Sequence, residues 1–166
     1  MPGKSNKATR LGFRSFALPP RRMGELVKTA VVEFFLQVDR DGLNPLIQDG
    51  SLPFVFRVGD PSAYRRDLRV LSACLYERLG LSTGLPKPTK AMTLDEAVNL
   101  IWPYNRDPRG VELQRLFGCS PDGIRKIVQR GGLKISRVAR ARNGPHASNN
   151  YSRASLIAFL KANRVN

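Results

Sequence analysis

The chain has 166 residues, 42% of them hydrophobic, and a formal net charge of +15. That length allows one compact domain or two small ones, with enough apolar material for a real core. Two cysteines, far apart and beside apolar neighbours, exclude a disulfide framework or a cysteine-rich zinc site and fit a reducing, cytoplasmic setting. The longest apolar run, 30–38, is broken by Glu33 and Gln37 and falls well short of the roughly 20 residues of a membrane span.

The charge is unevenly placed. Residues 1–24 hold six basic side chains and no acidic one, whereas residues 25–108 are close to neutral. Residues 109–166 carry twelve basic and only two acidic side chains, Glu112 and Asp122, a net +10. A chain this basic favours polyanionic partners, nucleic acid before an anionic membrane surface.

In chain order, residues 1–22 read as a flexible basic arm with Lys4, Lys7, Arg10, Arg14, Arg21 and Arg22, closed by Pro19-Pro20. A plain solvated tail and a basic, acid-free presequence are the competing accounts of it. From Met23 to Asp39, Leu26, Val27, Ala30, Val31, Phe34, Phe35 and Val38 recur at helical spacing, which predicts a largely buried helix. Asp41-Gly42 and Asp49-Gly50 are turn signals, and residues 52–58 (LPFVFRV) form a strand candidate that Pro53 pushes to an edge or a late start. Asp60 with Pro61 predicts an N-capped helix carrying Tyr64, Leu68, Leu71, Leu75 and Leu79 on one face and stopped by Gly80. Arg65, Arg66 and Arg69 then fall on a solvated face.

Residues 82–91 (STGLPKPTKA) read as a linker. Thr93 with Glu96 is a capping box for a helix through Ala97, Leu100 and Ile101, ended by Pro103. Asp107-Pro108 predicts the start of a short helix to Phe117, with Val111, Leu113, Leu116 and Phe117 as its apolar positions. Gly118-Cys119 turns the chain, and Ser120-Pro121-Asp122 starts a second helix with the right cap, first-turn proline and first-turn charge. Ile124, Ile127 and Val128 line one face of that helix, and Gly123, Arg125, Lys126, Gln129 and Arg130 line the other. Gly131-Gly132 stops it. Residues 133–140 alternate like a strand, residues 142–150 (RNGPHASNN) are rich in turn residues, and Ser152 can cap a last helix with Leu156, Phe159 and Leu160. Two short helices around a tight Gly-containing turn, the second basic on its outer face, suit the major groove of B-DNA. The expected fold is therefore mainly α within the α+β class. A small helical domain at 23–81, with a possible short hairpin, precedes the linker at 82–91 and a winged helix-turn-helix domain at 92–166.

The stretch LQRLFGCSPDGIRKIVQRGGLKISRV followed by YSRASLIAFLKANR resembles the excisionase-like and MerR-like DNA-binding domains. Ser120-Pro121, Ile124-Arg125, Gly132-Leu133, and Arg153 with Leu156, Phe159 and Leu160 match their pattern of helix, turn, recognition helix, wing and closing helix. The resemblance covers about 111–164, and departs at Gln114, where a small residue is usual, and in a longer wing loop. It implies that Arg125, Lys126 and Gln129 reach base edges, with Arg pairing to guanine and Gln to adenine. Ser120 and Arg130, with Lys134, Arg137, Arg140 and Arg142 of the wing, would then hold the DNA backbone.

Other chemistry is not suggested. His146 lies alone in a loop, neither cysteine has an evident partner, Gly3-Lys4-Ser5 lacks the upstream glycine of a phosphate-binding loop, and the carboxylates are scattered. The sequence thus predicts no enzyme, no cofactor and no metal. It predicts a sequence-specific regulator of phage, plasmid or mobile-element type, binding double-stranded DNA. Residues 23–81 are expected to form a homodimer or contact a protein partner. A DNA-bending, excisionase-like architectural factor and a structural RNA-binding component of a ribonucleoprotein are the alternatives.

Overall fold

The computed structural model describes residues 25–62, 67–81, 92–138 and 149–166. The basic arm, Arg65 and Arg66, the expected linker, His146, Arg140 and Arg142 lie outside them. The elements run β1 (Leu26–Lys28), α1 (Thr29–Leu36), α2 (Arg40–Gln48), β2 (Val55–Arg57), β3 (Leu68–Leu71), α3 (Ser72–Arg78) and α4 (Leu94–Ile101). They continue with α5 (Gly110–Phe117), α6 (Pro121–Gln129), β4 (Ile135–Arg137), β5 (Asn150–Tyr151) and α7 (Arg153–Ala162). The fold is thus α+β; among the described residues about half are helical and two small antiparallel sheets form.

The N-terminal part departs most from the sequence reading. The helix expected from Met23 is a strand first: β1 pairs antiparallel with β3 (Leu26↔Leu71, Val27↔Val70), and α1 begins only at Thr29. Gln37, in left-handed backbone geometry with φ 53°, ends it. Val32 of α1 is fully buried and Val31 and Phe35 are partly buried against the core, while Ala30 and Phe34 face solvent, so the apolar stripe packs over a narrower face than its spacing suggests. Asp41-Gly42 is not a turn but the first turn of α2, because the Asp39 carboxylate accepts the Gly42 N–H at 2.8 Å and caps that helix. Gly42 and Pro45 inside α2 hid it from a reading based on helix breakers.

The helix expected after Asp60 is also replaced. Asp60 accepts the N–H and hydroxyl of Ser62 in a local turn, and Leu68 to Leu71 form the central strand of a sheet ordered β1-β3-β2. A strand flanked on both sides gains two ladders of backbone hydrogen bonds, which outweighs the local helical spacing of its leucines. Helix follows only from Ser72, and Gly80 ends that segment at φ 68°, as expected. β2 starts late, after Pro53, as its sequence implied; Phe54 before it is fully buried at a positive φ of 64°.

The C-terminal elements follow the sequence more closely. Thr93 and Glu96 form the expected capping box of α4. The start of α5 is different: Glu112 reaches back to the Arg109 N–H at 2.8 Å, and Asp107 serves another element. Val111 of α5 is exposed, and not part of the core. Ser152 caps α7, its hydroxyl accepting the Ser155 N–H.

One continuous cluster of buried side chains joins the two parts of the chain, from Leu26 and Val32 through Val55, Val70 and Leu75 to Leu113, Phe117, Ile124 and Leu160. Hydrogen bonds cross the same boundary. Arg57 N–H donates to the Asn163 carbonyl and Val165 N–H to the Val55 carbonyl, both at 2.8 Å. Arg69, expected on a solvated face, is only 2% exposed. Its Nε donates to the carbonyl of Phe117, the last residue of α5, at 2.8 Å, and its guanidinium pairs with Asp67. A cation at a helix C-terminus meets the negative end of the helix dipole, so the sheet fixes where α5 ends.

Candidate nucleic-acid interface

The geometry of α6 follows from its first four residues. The Ser120 hydroxyl accepts the Gly123 N–H at 3.3 Å, Pro121 takes a position whose N–H would be unpaired, and Asp122 sits at the positive helix end. Gly118 ends α5 in left-handed geometry (φ 56°), so only three residues separate the two helices. Ile124 and Ile127 are buried against the core, which turns Arg125, Lys126, Gln129 and Arg130 to solvent.

Those four side chains are not equally free. The Arg125 and Lys126 side chains are 69% and 66% exposed and share one carboxylate: Arg125 pairs with Asp122, and Lys126 Nζ lies 2.9 Å from its Oδ2. Lys126 first, then Arg125, holds the Asp122 carboxyl below its usual range. Exposed pairs of this kind contribute little stability, so both cations can leave Asp122 for a stronger anion at small cost. Arg130 bends back, its Nε donating to the Lys126 carbonyl and its Nη2 to the Val58 carbonyl at 3.4 Å. The Ser120 hydroxyl is engaged in its cap. Gln129 is exposed.

After α6 the chain turns at Gly131, with φ 76°, and passes close to α7 at Gly132. A Cβ at 132 would lie 2.8 Å from the Phe159 ring and 2.9 Å from Ile127 Cγ2, so only glycine lets the backbone through here. Leu133 is buried, and Lys134 is pinned by its main chain, donating to the Ser155 hydroxyl and accepting from the Ser152 N–H. Its side chain projects outward, as do Ile135, Ser136 and Arg137 of β4. β4 pairs antiparallel with β5 (Ile135↔Tyr151, Arg137↔Asn150), with a shift of register between the two pairs.

A loop not anticipated from the sequence braces this surface. The Arg106 guanidinium lies 5.2 Å from the Trp102 ring and 4.9 Å from the Tyr104 ring, and donates to both carboxylate oxygens of Glu112. Arg106 holds the Glu112 carboxyl below its usual range. The Asp107 carboxyl, expected to cap α5, accepts the Arg153 N–H at 2.9 Å at the start of α7, and the Ser136 hydroxyl and that N–H lower its pKa. Arg153 Nε donates to the Tyr104 carbonyl. Residues 102–109 thus tie together the N-termini of α5 and α7 and the strand β4. The signal in the sequence was Trp102, whose indole N–H needs a partner when buried and finds the Arg106 carbonyl at 2.9 Å.

Both cysteines are free thiols: burial pushes Cys74 up to about 12 and also raises Cys119, so neither forms a reactive thiolate near neutrality. Among the described residues, no group of His, Cys, Asp and Glu could hold a metal ion, and no helix is long and apolar enough to cross a membrane. The structure therefore places Arg125, Lys126 and Gln129 side by side on one exposed helix face, with Lys134 and Arg137 on the neighbouring strand segment. Comparison with protein-family models, curated proteins and solved structures finds no match for this chain.

Proposed function

We propose that the protein binds double-stranded DNA in a sequence-specific manner through a winged helix-turn-helix, with α5 and α6 as its helices and β4 and β5 as its wing. The observation that carries this reading is the two-sidedness of α6, apolar and buried on one face, basic and polar on the other, within a segment of net charge +10. In this reading Arg125, Lys126 and Gln129 meet base edges, each good bidentate pair being worth roughly 1–3 kcal/mol of discrimination. Ser120, Arg130, Lys134, Arg137, Arg140 and Arg142 hold phosphates. The protein is then a regulator that acts by binding, not by catalysis.

Selection of bound fragments from random duplex DNA, followed by mobility shift on the selected duplex, random duplex and structured RNA across a salt series, tests the reading. A selected duplex preferred over both competitors supports it; equal binding to RNA moves the protein to the ribonucleoprotein class. Arg125→Ala and Gln129→Ala are expected to weaken the selected duplex far more than random DNA, and equal losses on both would remove α6 from the role of reader. Light scattering of the full chain, alone and with that duplex, tests the expected homodimer.

One observation favours the DNA-bending variant of this reading. Ile135 and Val138, at the proposed wing, are 42% and 64% exposed. Apolar side chains carried into a minor groove unstack base steps and kink the duplex. Circularly permuted fragments would show position-dependent mobility if the wing bends DNA, and uniform mobility if it does not.

A further inference from the structure

A cavity of about 230 Å³, with no lining residue from α6 or the β4–β5 hairpin, opens at the C-terminal end of α7, lined by Arg57 of β2 and by Ala162, Asn163, Arg164 and Val165. Two of its five lining residues are arginines and none is acidic. The Nε of Arg57 is buried and has no hydrogen-bond partner. Among the described residues, neither arginine pairs with an Asp or Glu side chain. Arg164 donates through Nε to a main-chain oxygen of Asn166 and lies 5.0 Å from the Phe54 ring, which fixes its direction. A buried cationic donor without a partner is costly, and two guanidinium groups beside one cavity repel each other unless an anion joins them.

We infer that this cavity is a binding site for a phosphate oxyanion. The planar guanidinium fork suits tetrahedral oxyanions with paired hydrogen bonds, which a compact ammonium cannot offer. The volume agrees: it is below the roughly 300–1,000 Å³ of pockets for drug-sized ligands, but has room for one such ion with ordered water. Two sources share this chemistry. One is a backbone phosphate of bound DNA, because Val58, the residue after Arg57, accepts Arg130 from the C-terminal end of α6; that source rests on the proposed function. The other is a free phosphate or phosphate monoester. The competing account is that the two arginines only complement the carbonyl end of α7.

Two measurements on the full chain decide, each with wild type, Arg57→Gln and Arg164→Gln, whose fold is checked by circular dichroism. In the first, inorganic phosphate is titrated at constant ionic strength and the Tm is read. A saturable rise in wild type that is lost in Arg57→Gln and partly kept in Arg57→Lys supports the site. In the second, binding of a duplex is followed against salt. Loss of one phosphate contact is expected to reduce the slope of log K against log salt by about 0.9, equally for selected and random sequences. Either response upholds the site and names its source. No difference from wild type in either measurement overturns it and leaves the arginines as helix-end partners. If wild type binds no duplex but the phosphate response holds, the proposed function fails and the site stands. If Arg57→Gln does not fold, Arg164→Gln, on an exposed residue, carries both measurements.

Discussion

Arg69 and Gly132 show how single residues hold the surface of α6 in place. Arg69 is buried, with its guanidinium divided between the carbonyl that ends α5 and the Asp67 carboxylate. Its sequence context, between Leu68 and Val70, carries no sign of this, because Phe117 lies 48 positions away. Arg69→Ala removes a charged donor from a buried carbonyl, and is expected to lower unfolding stability by roughly 2–3 kcal/mol, most of it from that hydrogen bond, since Asp67 is half exposed. The midpoint of urea denaturation reads the loss; a change below about 0.5 kcal/mol, the range of an ordinary surface substitution, would contradict this role. Gly132→Ala pushes a methyl group into Phe159 and Ile127, and overpacking of this kind costs roughly 1–3 kcal/mol. That glycine was legible as a helix stop, but its contact with α7 was not.

At the level of elements, α6 was legible almost to the residue because its determinants are local: a cap, a first-turn proline and acid, and isoleucines three apart. Ser120→Ala is expected to cost about 1 kcal/mol, as loss of an N-cap hydroxyl does, and to weaken selected and random DNA together by loosening the whole helix. Circular dichroism in urea checks the first effect and mobility shift the second. The same local logic makes the helix ends acid-sensitive. Glu96, Glu112 and Asp122 all sit in first turns with their pKa values lowered by hydrogen bonds or cationic neighbours. A carboxylate with a depressed folded-state pKa contributes stability above its unfolded value that is lost as the pH falls through the folded one. Urea midpoints are therefore expected to hold steady above pH 5 and to fall once the pH drops below the ordinary carboxyl values of 4.5 and 3.8. Glu112→Gln should flatten that acid slope; an unchanged slope would show that its pairing with Arg106 contributes nothing.

For the whole molecule, the C-terminal residues bind the two parts of the chain together. The Asn166 side chain donates to the carbonyls of Ile47 and Leu52 at 2.8 Å and accepts the Val55 N–H at 3.1 Å. At roughly 1 kcal/mol for each neutral hydrogen bond, and less where water can substitute, Asn166→Ala should cost about 1–3 kcal/mol. With one core running through both parts, unfolding is expected to be a single transition, with Trp102 fluorescence and far-ultraviolet circular dichroism coincident. Separated transitions would show that residues 26–81 and 92–166 fold independently. The sequence alone determined the C-terminal helices, the caps of α4, α6 and α7, and the concentration of charge on that segment, because these depend on neighbours within about four residues. Only the tertiary structure decided that Leu26 and Leu68 belong to strands, that Arg69 is buried, and that Arg57 and Arg164 line one cavity. The partners that decide Leu26, Arg69 and the cavity lie more than forty positions away, and Leu68 pairs with Arg57, 11 positions back, beyond the reach of helical neighbours; pairing energy across such distances outweighs the weak local preferences that a sequence displays.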